Sequence, residues 1–140
     1  MALVEWNQAL TIGIPEIDYQ HRNLVSMLNA LHAAIESGEP QEHLGEILEE
    51  LDLYVINHFA NEERLMERLH YEYLAQHKAE HLRLAESVQE HRNAFNRGEA
   101  KAEDLMQFLV RWLLNHIAGA DSHIGEAFRK LNSQNAATSA

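Results

Sequence analysis

The sequence predicts an all-α protein: an up-down-up-down four-helix bundle with an extended N-terminal arm and a short C-terminal helix. Three observations carry that prediction. The 140 residues include only two prolines, Pro15 and Pro40, and few β-branched runs. From Ile17 to about Leu131, apolar residues recur in steps of three and four, the period of a helix face rather than a strand. Short turn signals separate the periodic stretches, which makes consecutive helices antiparallel neighbours.

Residues 1–16 contain Gly13 and Pro15 and read as the arm. The first helix follows at Ile17, with Asp18 as N-cap or first-turn acid. It shows Ile17, His21, Leu24, Leu28, Leu31 and Ile35 on one face and stops at Gly38-Glu39-Pro40. The second spans roughly 41–69, with Leu44, Leu48, Leu51, Val55, His58, Glu62, Leu65 and Leu69 in the same rhythm and a turn near His70. The third, about 73–97, carries Leu74, His77, His81, Leu84, Val88, His91 and Phe95 and ends at Gly98. The fourth starts near Ala102, presents Leu105, Leu109, Trp112 and His116, and is expected to break at Gly119. A fifth segment, about 121–131, completes a single domain, 1–131. The polar residues 132–140 are expected to be a disordered tail.

Composition narrows the function. A formal net charge of −11 argues against nucleic acid or an anionic membrane surface as partner. Without cysteine there are neither disulfides nor thiolate ligands. No run of 18 apolar residues occurs and the N-terminus lacks a signal-peptide pattern, so no membrane insertion and a cytoplasmic location are expected. Histidine is abundant: ten residues, roughly three times average usage.

Several of those histidines interrupt the apolar stripes where the core should be. In an antiparallel hairpin, residues equidistant from the turn share a height. The pairs His58–His81 and Glu62–His77 are both centred between Leu69 and His70, and His21–His58 is centred within the Gly38-Glu39-Pro40 break. The centre of HKAEH (77–81) and His116 flank a midpoint beside Gly98. Three turns therefore bring His21, His58, Glu62, His77, His81 and His116 to one inward-facing level. Burying such groups without partners costs several kcal/mol each in the worst cases, roughly, and a metal removes that cost by accepting their lone pairs. His58 with Glu62, and His77 with His81, are i,i+4 pairs that can each reach one centre. HKAEH is not a zinc-protease motif, because Lys78 stands where that motif needs glutamate. Glu63, about 100° further round the helix, reads as a surface residue. Asp121 is five residues after His116, which would carry it about 140° off the histidine's face on a continuous helix. Gly119 offers an end to the helix that swings Asp121 back.

With IDYQH, HFANE (58–62), HKAEH (77–81) and HIAGAD (116–121) in this order, the sequence resembles the haemerythrins, and more narrowly their single-domain bacterial kind. The resemblance covers about residues 4–130 and takes in the Trp6 arm and WLLNH. It implies a non-haem di-iron centre with two Fe ions per chain. His77, His81 and His116 would bind one iron and His21 and His58 the other, with Glu62, Asp121 and an oxo or hydroxo group bridging. That fills six positions on the first iron and five on the second, leaving a place for O2 beside His21 and His58. The resemblance also sets Phe59, Trp112 and Leu113 around the oxygen pocket. It implies dioxygen as ligand and a non-enzymatic role in storage, delivery or scavenging, with an unidentified protein recipient as a further partner.

The remaining histidines have plainer readings. His32, His43, His70 and His123 fall on exposed faces or turns. His91, roughly 15 Å of helix beyond His81, reads as a hydrogen-bonded core histidine. Trp6 reads as packing of the arm. Alternatives to oxygen carriage are an oxygen or redox sensor module, or an enzyme such as a di-iron oxidase, a peroxidase or a nitric oxide-handling protein. Iron storage fits poorly, since a small bundle has no mineral cavity.

Overall fold

A computed structural model describes the backbone of residues 4–139 and the side chains of residues 4–133. Residues 1–3 of the expected arm and residue 140 of the expected tail lie outside that range. The elements are a 3-10 turn in the arm (Gln8–Leu10), α1 (Pro15–Glu36), α2 (Gln41–Arg68), α3 (Leu74–Asn96), α4 (Ala102–His116), a π-helical turn (Ile117–Asp121) and α5 (Ser122–Ser139). Both α1 and α3 pack against α2 and α4, which closes the bundle. No helix among the described residues is long and apolar enough to cross a membrane.

The three turns of the bundle share one construction. Gly38 (φ 73°), His70 (φ 52°) and Gly98 (φ 74°) each take the left-handed conformation just past a helix end. The next amide then donates back over the turn: Glu39 to Ala34 at 3.1 Å, Tyr71 to Met66 and Glu99 to Ala94 at 2.9 Å. These bonds occupy carbonyls that a helix end leaves free. Glycine is the usual residue at this position, so His70 holds it against a steric cost.

α1 begins two residues before the expected start, because Pro15 fits the first helical position with its fixed φ and absent N–H. Asp18 lies in the first turn, yet it is not the N-cap. Its buried carboxylate instead accepts N–H bonds from Ile12 (2.8 Å) and Gly13 (3.1 Å), folding the arm onto the bundle. Asn29 ties the arm again, accepting from Val4 N–H at 2.9 Å and donating to its carbonyl at 2.8 Å. Trp6 is half-buried beneath the Arg22 guanidinium at 5.4 Å, the packing role expected of it.

At the other end α5 continues through Ser139, so residues 132–139 are helical rather than a disordered tail. The physical reason is local: no glycine or proline follows Gly125 to stop the helix. α5 lies so close to the arm that a Cβ added at Gly125 would stand 2.0 Å from the Ile12 carbonyl oxygen.

The core is layered. Leu24, Val55, Leu84 and Leu113 are buried one turn to one side of the histidine level. Ile17, Met66 and Ile124 are buried on the other side, at 2%, 0% and 1% exposure. The polar level is thus held between two apolar ones.

Candidate metal centre

α1 contributes His21, α2 His58 and Glu62, α3 His77 and His81, α4 His116, and the π turn Asp121. All seven are buried, none more than 6% exposed, and His21, Glu62 and Asp121 are at 0%. The helix does not break at Gly119. The chain stays helical through a π turn, in which one extra residue enters the turn and i,i+5 residues take the place of i,i+4 neighbours. Asp121 therefore returns to the face of His116, and their side chains meet at 3.0 Å. Gly119 has negative φ and an added Cβ there would meet nothing within 4 Å. Asp121 meets His116 through this π turn and not through the expected break at Gly119.

The ligand atoms divide into two overlapping groups. Glu62, His77, His81, His116 and Asp121 offer one atom each within 4.8 Å of one another, and so do His21, His58, Glu62 and Asp121. The two carboxylates belong to both groups. Asp121 Oδ1 is 3.1 Å from His77 Nε2 and 3.0 Å from His116 Nε2, whereas Oδ2 is 3.0 Å from His21 Nε2. Glu62 Oε1 is 3.2 Å from His58 Nε2 and 3.5 Å from His81 Nε2. Neighbouring ligands of a six-coordinate ion, with bonds of about 2.1 Å, are separated by about 3 Å. The spacing is that of atoms arranged around ions.

Hydrogen bonding supplies the test of fit. The Nε2 atoms of all five histidines and both oxygens of Glu62 and Asp121 are buried without a hydrogen-bond partner. Native cores seldom contain one such atom without reason; nine facing one another match a donor set that metal ions satisfy.

Electrostatics agrees. Burial, and then repulsion from His21, lowers His58 to about 3; burial and His77 lower His81 to about 2. These rings are neutral at ordinary pH, the form that binds metal. Burial and the adjacent Asp121 carboxylate push Glu62 well above the usual range. Burial pushes Asp121 the same way but is outweighed by His116, His21 and His77, which hold it well below its ordinary value.

Aromatic walls stand against the three-histidine side. Phe59 stacks on His81 with centroids 3.8 Å apart and planes 7° from parallel. Trp112 stacks on His116 at 4.3 Å and 16° and meets Phe59 edge-on at 5.5 Å. Phe59, Trp112 and Leu113, with Leu24, Val55 and Leu84 among others, line a wholly apolar cavity of about 10 Å³ in the adjoining layer.

Other histidines lie outside the centre. His43, His70 and His123 are exposed, as expected, but His32 is half-buried with Nδ1 unpartnered among the described residues. His91 stacks on Phe108 at 4.8 Å, and its Nδ1 is 2.8 Å from the Ser87 carbonyl. Glu63 is a correction: it is not a plain surface residue but is 24% exposed, with Oε2 3.8 Å from His81 Nδ1. Glu80 Oε2 faces His116 Nδ1 at 3.5 Å and Gln20 Oε1 is 2.6 Å from His58 Nδ1. Sequence reasoning missed Gln20 and Glu80. Each directly precedes a ligand, but what it serves lies on the next helix.

Fold and site together define a helical-bundle protein with a metal-binding centre of five histidines and two shared carboxylates. Residues 12–128 match the family model described as "Hemerythrin HHE cation binding domain". The chain is 43% identical over 121 residues to a bacteriohemerythrin of Stenotrophomonas maltophilia, covering 86% of this chain and 78% of that one. It is 35% identical over 127 residues to a bacteriohemerythrin of Methylococcus capsulatus, covering 89% and 96%. A crystal structure of wild-type hemerythrin superposes with a TM-score of 0.83 at 34% identity, over 90% of this chain and 98% of that one. The chain belongs to the haemerythrin family.

Proposed function

We propose that this chain binds dioxygen reversibly at a di-iron centre, as a carrier or store and not as an enzyme. The observation that supports this best is the pair of overlapping ligand groups sharing Glu62 and Asp121, with all their metal-facing atoms buried and unpartnered. Two irons, when bound, supply the electrons for reversible dioxygen binding. His77, His81 and His116 would hold one ion, His21 and His58 the other, and Glu62 and Asp121 would bridge. The two-histidine side offers fewer donors, which leaves it the place for the gas.

The rest of the chemistry belongs to the chain. Apolar layers on both sides and the walls Phe59, Trp112 and Leu113 exclude water, which favours return of the bound gas unchanged. Five neutral imidazoles donate less negative charge than the carboxylate-rich sets of oxygen-activating bundles with their paired Glu-x-x-His motifs. The single such spacing in this chain, Glu67 to His70, sits on an exposed turn.

The test is metal analysis with visible spectra of the reduced protein before and after air. Two irons per chain and a band that vanishes on deoxygenation are expected. A single zinc, or no reversible band, overturns the reading; multiple turnover of a substrate with a reductant would replace carriage by enzymatic function.

A further inference from the structure

The two ligand groups differ in what stands behind them. A histidine that gives Nε2 to a metal has Nδ1–H left to donate outward, and the acceptor it meets tunes how strongly the ring donates to the ion. In this chain those acceptors follow a rotation around the bundle. Gln20 of α1, beside His21 in sequence, backs His58 of α2 at 2.6 Å. Glu63 of α2, beside Glu62, brings its carboxylate to 3.8 Å from His81 Nδ1 of α3, close enough for its charge to act but too far for a hydrogen bond. Glu80 of α3, beside His81, faces His116 of α4 at 3.5 Å. The fourth step fails: Asn115, which precedes His116, is exposed, Ile117, which follows it, is apolar, and no carboxylate or amide comes near His21 Nδ1, which like His81 Nδ1 is buried with no hydrogen-bond partner among the described residues.

The result is a charge asymmetry. Two carboxylates stand behind the three-histidine group, and a neutral amide alone stands behind the two-histidine group. We propose that Glu63, Glu80 and Gln20 are positioning residues that make the two metal positions unequal, the three-histidine position favouring the more highly charged ion. A carboxylate 3.5–3.8 Å behind the ring stabilises added positive charge on the imidazole and on the ion it binds through its own negative charge. The amide of Gln20 orients His58 through a short hydrogen bond without adding charge. The asymmetry also matches the oxygen reading, since the side with fewer ligands keeps the more readily exchanged position. The inference rests on that reading's di-iron centre, though not on oxygen binding itself.

The test uses full-length iron-loaded protein and the variants Glu63→Gln, Glu80→Gln and Gln20→Glu. Metal content is measured first, then the two one-electron midpoint potentials, with Mössbauer spectra of the half-oxidised protein to show which iron is ferric. Loss of an outer partner of this kind changes metal binding by about tenfold or more, and tenfold between two oxidation states is about 59 mV for one electron. Glu80→Gln and Glu63→Gln are each expected to raise the lower potential by about that amount. Gln20→Glu should lower the upper one, so that the gap narrows from both sides. Zinc affinity, read by chelator competition, should fall about tenfold in Glu80→Gln. A merely structural role would move the thermal midpoint of the chelator-treated protein and leave the gap alone. Unmoved potentials with two irons bound overturn this proposal and spare the di-iron reading; fewer than two irons in the parent overturns both.

Discussion

Gly125 sets helix propensity against packing, and the two forecast opposite signs for Gly125→Ala. Inside a helix the substitution should stabilise by about 1 kcal/mol. Here the new Cβ would lie 2.0 Å from the Ile12 carbonyl oxygen, 3.0 Å from its carbon and 3.3 Å from the Ile12 Cβ. An ordinary carbon–oxygen contact needs more than 1 Å of additional separation, and the arm has little freedom to yield. Ile12 is 2% exposed, its N–H and that of Gly13 are held by Asp18, and its carbonyl accepts from Arg129 at 3.2 Å. Overpacking of this kind costs about 1–3 kcal/mol, and loosening a hydrogen bond to the buried carboxylate about 1.5–3 kcal/mol more. With the propensity gain subtracted, the expected net loss is about 1.5–5 kcal/mol. Urea unfolding of the chelator-treated protein measures it, as a lower midpoint with unchanged slope. Because Gly125 follows Asp121 by only four residues, metal content should fall as well. A variant as stable as the parent, or more so, would refute the tight approach of α5 to the arm.

Three further expectations can be checked with the same purified protein. His70→Gly should raise the urea midpoint by the equivalent of about 0.5–1 kcal/mol, since His70 occupies the left-handed region at φ 52°; a lower midpoint would mean its side chain makes an offsetting contact. His77→Ala should lose metal, whereas His91→Ala should keep it and lose about 1 kcal/mol of stability with its bond to Ser87; equal metal content in both would show the ligand assignment to be wrong. In the metal-free protein His58 and His81 lie at about 3 and about 2, below their unfolded value, so the unfolded chain takes up protons first as pH falls. Their contribution is full above about pH 6.5 and declines by about 1.4 kcal/mol per unit for each histidine below it. Glu62, raised by burial, has the opposite sign and contributes stability at low pH that is lost as pH rises. Between pH 6.5 and 5 the parent should therefore weaken, and Glu62→Gln should weaken further, by up to about 4 kcal/mol. Urea midpoints across that range check it, and a Glu62→Gln protein insensitive to pH would contradict the neutral state of the two rings.

The bundle and six residues of the level were legible because both follow from periodicity and turn position, whereas Asp121 reaches the level through the π turn. Heptad rhythm decides which side chains face inward, and turns fix relative height, so His21, His58, His77, His81 and His116 could be placed without coordinates. What stayed hidden depends on local backbone choices or on neighbours across helices. Nothing in HIAGAD marks a π turn over a helix break, because both bring Asp121 to the same place. Asp18 was read for its nearest helix end, yet its partners are the amides of Ile12 and Gly13. Asp52 is buried beside Leu51 and paired with Arg92 at 2.7 Å, a link between α2 and α3 that no periodicity announces. The outer partners Gln20, Glu63 and Glu80 escaped for the same reason.

The two carboxylates at 0% exposure, Glu62 and Asp121, show how much of this core is built for charge it does not itself carry. Both are at 0% exposure, so burial alone would favour the protonated form of each. Asp121 resists because three histidines surround it, two on one oxygen and one on the other. Glu62 lacks that support and is driven toward its neutral form, in part by Asp121 itself. Burial therefore favours a proton on Glu62 in the metal-free level, and bound cations would oppose it, since a cation stabilises the carboxylate form and needs the same lone pairs. Metal binding should accordingly be accompanied by proton release from this level. The stability of this bundle and its affinity for metal are then two readings of one electrostatic balance, with Glu62 as the residue on which they meet.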